Sequence, residues 1–303
     1  MFVQNLGPGA AERLDLGPDR LTASNHRLVY CGLTGYGSAG PYRDRKAYDL
    51  LLQGESAAIN VSGTSDEAAK VGISIVDISG GMYVLVSVLA ALVERDRTGS
   101  GQVLEISLLD SIGEWMQVPY LYSRYTGRTF PRSGKRHNMI VPYGPYSCGA
   151  SGSVSLAIQN DREWERFCRA VLEAPNLVDD PKYVSNEHRV TNRDDLESLI
   201  EAQFAALGVE EVARRLEEAE IAFGEVREVR DAHSHPQFAA RDRWRSVRSS
   251  GGEVTMLRPP FEAAGRGRDG HGIPALAEHT EDILREIGYS ADGIEKLRRS
   301  GAI

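Results

Sequence analysis

A largely apolar run, Val71 to Val76, ends on Asp77 and passes through Ser79-Gly80-Gly81 into the apolar stretch Met82–Val93. Strand, carboxylate, glycines, helix: this order puts an acid beside a helix N-terminus, where unpaired backbone N–H groups and the positive end of the helix dipole collect. Gly80 and Gly81 carry no side chain that would keep a ligand from that backbone. The residues alone leave two roles open for Asp77. It can cap the helix, the commoner role for an Asp in this place, or it can act as a nucleophile or base. Ser79 competes for the cap and so frees Asp77 for other work.

The same alternation continues on both sides. Residues 27–31 read as a short buried strand, followed by a loop with glycines at 32, 35, 37 and 40 where backbone comes close to something. The helix from about 80 to 96 stops at Thr98-Gly99-Ser100-Gly101. A strand, Gln102–Ser107, follows, and a second helix starts near Leu108. Strands alternating with helices predict an α/β fold with a parallel sheet.

Residues 126–138 are basic and turn-rich, as a linker is. Beyond them come a strand at Val154–Ile158 and helices at Asp161–Leu172, Arg193–Leu207 and Glu210–Glu220. The chain therefore divides into 1–131, a large domain; 132–229, a smaller α+β domain; and 230–303, a segment returning to the large domain. In that last segment a short helical region spans His233–Arg245, a hairpin or edge strand Gly251–Pro260, and a helix Glu278–Ile287, with a final helix after Ser290.

Composition excludes several classes. Among 303 residues the net charge is −8, unlike a nucleic-acid binder. Cys31, Cys148 and Cys168 are odd in number and lack metal or redox spacing, which fits a reduced, cytoplasmic protein. No basic n-region opens the chain, so no signal peptide is expected. Met82–Val93 reads as a buried core helix, about a dozen residues and too short to span a bilayer. His233-Ser234-His235, with no nearby Cys, makes a poor metal site, and no metal is expected. Neither GxGxxG nor a P-loop occurs, and Gly35-Tyr36-Gly37-Ser38-Ala39-Gly40 misplaces the serine for a hydrolase.

Arg43, Arg45 and Lys46 follow the glycine-rich loop, where they either meet phosphate or carboxylate groups or form a solvated charged turn. Tyr48 and Asp49 open a helical stretch in which Asp49 serves at least as a first-turn acid.

These segments together resemble the class III coenzyme A transferases, the group of formyl-CoA and carnitine CoA-transferases and the related 2-methylacyl-CoA racemase. The resemblance rests on Leu28–Cys31 through Gly35-Tyr36-Gly37 to Gly40-Pro41, and on Lys46-Ala47-Tyr48-Asp49. It continues through Val76–Tyr83 with Arg95–Gln102, Glu278-His279-Thr280, and Ile287–Ser290 with Leu297 and Gly301, and so covers essentially the whole chain. It implies a Rossmann-like large domain, a smaller domain and an interlocked homodimer.

It implies also that Asp77 is the nucleophile, forming a mixed anhydride with the acyl group and then an aspartyl-CoA thioester. Asp49 assists, and Tyr48 stands beside it. Asn5, Arg13 and Lys46 resemble contacts to the adenine and phosphates of coenzyme A, while Gly80 and Gly81 let the thioester approach. Racemases carry a histidine where this chain has Tyr48, which argues for transfer over the alternative of racemisation. Most members extend beyond the position of Met1, so a third reading is an inactive CoA-binding or assembly subunit. Gly7 stands where many relatives are basic, and the glycine tetrad of formyl-CoA transferase is not recognisable, which argues against oxalate. Arg132, Lys135 and Arg136 either pair with a second carboxylate of a small dicarboxylic acid, such as succinate or mesaconate, or are solvated linker charges.

Overall fold

The computed structural model describes residues 1–150, 152–260 and 272–303, and so leaves part of the segment 230–303 outside the described residues. It separates into two compact units, Met1–Val226 and Arg227–Ile303.

The first unit opens with β1 (Phe2–Gln4), α1 (Ala10–Arg13), α2 (Pro18–Ser24) and β2 (Tyr30–Thr34). Next come α3 (Asp49–Glu55), α4 (Ala58–Val61), the long α5 (Ile75–Thr98) and β3 (Val103–Ser107). The three strands form one parallel sheet in the order β1-β2-β3, with Phe2 opposite Tyr30 and Tyr30 opposite Val103. Parallel pairing needs a long crossover, supplied between β2 and β3 by α3 to α5. The expected α/β alternation is present, with β2 three residues later than the periodicity suggested.

Two expectations for α5 are corrected. Val71–Val76 is not a strand: residues 71–74 have no regular structure, and the helix starts at Ile75, so Asp77 sits in its first turn. Nor is α5 a short, buried core helix. It has 24 residues and buries only Val76, Ser79, Gly80, Val88 and Ala91, while Ile78, Met82, Leu85, Val86, Leu89 and Val93 are exposed. By length and composition it is long and apolar enough to cross a membrane, yet it packs on α3, α6 and the β2–β3 strands as a helix on a sheet does. Val76 joins Leu52, Ala58, Ile112 and Met116 in one apolar cluster. Helices α6 (Leu108–Trp115) and α7 (Gln117–Thr126) complete this half; Ser107 caps α6 by accepting the Asp110 N–H.

A separate core begins after the linker. There β4 (Tyr143–Cys148), β5 (Gly152–Ala157), α8 (Asp161–Arg166), α9 (Asn186–Thr191), α10 (Arg193–Ala205), α11 (Val209–Glu218) and β6 (Ala222–Glu225) follow in order. The strands make an antiparallel sheet, β4-β5-β6, under Trp164, Phe167, Leu196, Ile200 and Phe204. Cys31, Cys148 and Cys168 are all buried and unbridged, and burial pushes the Cys168 thiol up to about 12.

The linker arginines are not free. Arg132 gives its guanidinium to the carbonyls of Asn60, Thr64 and Ser65. Arg136 lies over the Tyr146 ring and pairs with Glu197 and Glu201, while Arg193 reaches Glu197 at 3.1 Å. Both guanidiniums are thus already engaged rather than free for a substrate carboxylate, and Arg136 is not a solvated linker charge; Arg132 stays partly exposed and Lys135 is exposed. Breaking a buried charge pair from one side leaves the other charge unmatched. Arg136→Leu is therefore expected to cost about 3 kcal/mol, the low end for such a loss because Arg193 still serves Glu197. Urea unfolding checks it.

In the second unit α12 (Pro236–Ala240) precedes an antiparallel hairpin of β7 (Trp244–Ser249) and β8 (Gly252–Leu257), then α13 (Thr280–Glu286) and α14 (Ala291–Arg299). His233 packs against the Trp244 ring at a 30° tilt and His235 caps α12 through its ring nitrogen, so both have structural work. Among the described residues no cluster of three or more His, Cys, Asp or Glu is placed to hold a metal.

Candidate active site

Ligands of parallel α/β sheets bind beyond the carboxyl ends of the strands. In this sheet the chain leaving β1 (Asn5 to Gly9), the chain leaving β2 (Gly35 to Ser38) and Leu108 after β3 all border one cavity of about 930 Å³. Arg43 to Tyr48 and Asp77 close it. That volume falls in the range, roughly 300–1,000 Å³, of sites for large small-molecule ligands.

The glycine loop is shaped by two anchors. Thr34 Oγ1 accepts the Gly37 N–H at 2.9 Å, and the Glu105 carboxylate accepts both the Ser38 N–H and its hydroxyl. Gly37 sits at φ +90°, a left-handed conformation that suits glycine, and a Cβ on Gly35 would come within 2.2 Å of Ala47 Cβ. The glycines thus let the 43–48 segment lie close against the strand end.

Asp77 faces the cavity from the first turn of α5, and Asp49 is its charged neighbour. Asp49 Oδ2 accepts the N–H groups of Val76 at 2.8 Å and Asp77 at 3.3 Å, while its Oδ1 takes the Gln53 side-chain amide at 2.6 Å. The cap of α5 therefore comes from another helix. Ser79 does not compete for it: the serine is buried and donates to the Val76 carbonyl. The other first-turn donors are also taken, Ile75 by the Ile73 carbonyl and Ile78 by Ser74. Free N–H groups at this helix start, expected from the sequence, are not there for an oxyanion.

Partial desolvation of its carboxyl, followed by the Asp49 charge, holds Asp77 above the ordinary carboxylate value. In its ionised form a more basic carboxylate is the better nucleophile.

The remaining candidates divide. Asn5, Lys46 and Tyr48 line the same cavity as Asp77; Tyr48 is 70 % exposed, and Lys46 makes no ion pair among the described residues. Arg45 stacks on Tyr42 at 3.5 Å, and Arg43 pairs with Asp44 at 3.2 Å. Arg13 does not line the cavity but folds back on the Pro8 carbonyl. Gly80 is a packing position, since a Cβ there would meet Leu108 Cδ2 at 2.4 Å; Gly81 opens on solvent, and neither borders the cavity. Sequence reasoning missed Gln53 and Glu105. The i,i+4 spacing of Asp49 and Gln53 was the available signal for the first.

Residues 1–280 match CoA-transferase family III. The chain belongs to that family. An acyl-CoA transferase from Fusarium pseudograminearum (strain CS3096) is 33% identical over 100% of this chain and 67% of its own length. A succinyl-CoA:glutarate CoA-transferase from Mus musculus is 29% identical, over 100% of this chain and 70% of that protein. Among solved structures, a CAIB/BAIF family protein from Brucella suis superposes with a TM-score of 0.80 at 29% identity, covering 94% of this chain and 74% of that one. This member of CoA-transferase family III is thus a mixed α/β enzyme of the CoA-transferase type, acting on acyl-CoA substrates.

Proposed function

We propose that this transferase moves coenzyme A from an acyl-CoA to a small dicarboxylic acid with Asp77 as nucleophile. A carboxylate oxygen of Asp77 attacks the thioester carbonyl, the C–S bond breaks, and CoA thiolate leaves a mixed anhydride. The thiolate then attacks the Asp77 carbonyl carbon and expels the donor acid, giving an aspartyl-CoA thioester. An acceptor carboxylate repeats the two steps in reverse, and Asp77 returns to its free form. No redox partner is needed: each carboxylate attack makes a C–O bond and breaks a C–S bond, and each thiolate attack makes a C–S bond and breaks a C–O bond.

The observation that carries this reading is the position of Asp77: a carboxylate of raised basicity, on a cavity at the strand ends, with cations on the same wall. With Arg132 and Arg136 committed elsewhere, Arg43, Arg45 and Lys46, which line the cavity, are placed to receive CoA phosphates or a second carboxylate. The glutarate-using mouse relative also favours a dicarboxylate acceptor, and the missing glycine tetrad disfavours oxalate. Tyr48 in place of a histidine disfavours racemisation.

A cytoplasmic, Rossmann-like homodimer with domains 1–131, 132–229 and 230–303 belongs to the same reading. The two separate apolar cores support a boundary near the linker, and the exposed apolar stripe of α5 supports a partner.

The test is intact-mass analysis after incubation with a panel of acyl-CoAs, followed by peptide mapping. A CoA adduct on Asp77 is expected. Exchange of the substrate α-proton with no adduct points to racemisation instead, CoA binding with neither adduct nor exchange to an inactive CoA-binding subunit, and absence of adduct and of CoA binding to an assembly subunit. Lys46→Ala is expected to weaken acyl-CoA binding about five- to tenfold at low ionic strength and less in high salt, as an exposed cation would; calorimetric titration at two salt concentrations measures it.

A further inference from the structure

Gln53 follows Asp49 by one helical turn on the same face of α3, and only 1 % of it is exposed. Both ends of its amide are used. Nε2 donates to Asp49 Oδ1 at 2.6 Å, and Oε1 accepts the Val71 N–H at 2.9 Å. Asp49 in turn receives the N–H groups of Val76 and Asp77. One side chain therefore ties down both ends of the segment 71–77, the first directly and the second through Asp49.

Burying a primary amide is costly unless donor and acceptor both find partners. Here the donor faces a carboxylate and the acceptor faces an N–H, so the amide fits one way round only. Asp49 makes no ion pair among the described residues. A neutral amide steadies it without cancelling its charge. A cation in the same place would hold Asp49 equally well but would remove the negative field beside the nucleophile.

We propose that Gln53 is a positioning residue for the transfer reaction, holding Asp49 and the Val71 backbone so that the start of α5 presents Asp77 to the cavity in a fixed geometry. This rests on the reading of Asp77 as the nucleophile. A loosened helix start leaves the cavity wall and its cations in place, so binding and chemistry should separate. Small displacements of a reacting group cost rate far more than affinity.

The experiment compares wild type with Gln53→Met, which keeps volume and loses both hydrogen bonds, and Gln53→Glu, which keeps the acceptor for Val71 but sets a carboxylate against Asp49. Ile112→Val, from the apolar cluster that holds Leu52 and Val76, supplies a variant weakened in stability alone. Single-turnover formation of the aspartyl-CoA adduct, acyl-CoA affinity, thermal midpoint and amide exchange are measured on each. Expected for Gln53→Met is at least about a tenfold slower adduct, affinity within about twofold of wild type, and faster exchange confined to Val71, Val76 and Asp77. Gln53→Glu is expected to be slower still, and Ile112→Val to form adduct at the wild-type rate.

Adduct formation at the wild-type rate in both Gln53 variants overturns the proposal. So does a loss matched by Ile112→Val at an equal fall in midpoint. An adduct absent from Asp77 in wild type overturns the functional reading instead. The exchange data then decide the tether by themselves: unchanged protection at Val71, Val76 and Asp77 removes it, and lost protection keeps it.

Discussion

Asp77→Asn is expected to reduce CoA transfer on the order of 10³-fold or more, with no covalent adduct, because an amide oxygen cannot open the thioester and release a carboxylate again. The fold should be little affected. In the wild type, burial and the Asp49 charge raise the Asp77 carboxyl above its unfolded value. The ionised form is therefore the disfavoured one in the native state. That penalty is fully present above the folded pKa and is relieved as pH falls through it. Asparagine is neutral throughout and lacks the penalty. It also lacks the favourable interaction of a charge with the helix N-terminus, worth roughly 0.3–1 kcal/mol. These effects oppose each other, so Asp77→Asn should stay within about 1 kcal/mol of wild type at neutral pH. Thermal melts across pH and a transfer assay measure both. A variant that still turns over at a tenth of the wild-type rate would sink the nucleophile assignment.

Replacing Asp49 should damage both structure and rate. Asp49→Ala leaves the Val76 and Asp77 N–H groups without their cap and Gln53 without its acceptor. Loss of a cap plus an unmatched buried amide is expected to cost about 2 kcal/mol, and transfer should fall on the order of 10²-fold as the helix start loosens. Asp49→Asn separates charge from cap. Its oxygen still accepts from the helix start, but its amide confronts the Gln53 amide, at a cost on the order of 1 kcal/mol. With the negative charge gone, the Asp77 carboxyl falls toward the ordinary value. The nucleophile must be ionised to attack, so the acid limb of the pH–rate profile should move to lower pH. The plateau should drop too, since a less basic carboxylate attacks more slowly. An unmoved acid limb would show that Asp77 does not feel the Asp49 charge.

Much of this architecture is visible in the chain. The strand at Gln102–Ser107, the helix after it, the strand near Val154–Ile158 and the helices that follow it are legible from periodicity and turn residues, whereas the antiparallel pairing of β4, β5 and β6 is not. Nor is the beginning of α5. Ile73, Ile75 and Val76 are β-branched and read as strand, yet residues 75 and 76 are helical because a carboxylate from α3 satisfies their end of the helix. Propensity weighs only local backbone preference, and a cap delivered from 27 residues away in sequence outweighs it. The linker arginines fail as candidates for a similar reason. Their composition suggests solvent or substrate, but Glu197 and Glu201 on α10 and the carbonyls of Asn60, Thr64 and Ser65 are what they meet.

By itself the sequence determined which chemistry was possible: an acid followed by glycines, a glycine loop, cations nearby and the pattern of a CoA-transferase. Tertiary structure alone decided that Asp49 and Gln53 share one hydrogen-bond chain with the start of α5, and that Gly80 serves packing while Gly35 lets the cavity wall close. The reason is physical. Side-chain identity fixes what a group can donate, accept or carry as charge, whereas its partners depend on distances that only the packed helices and sheet set.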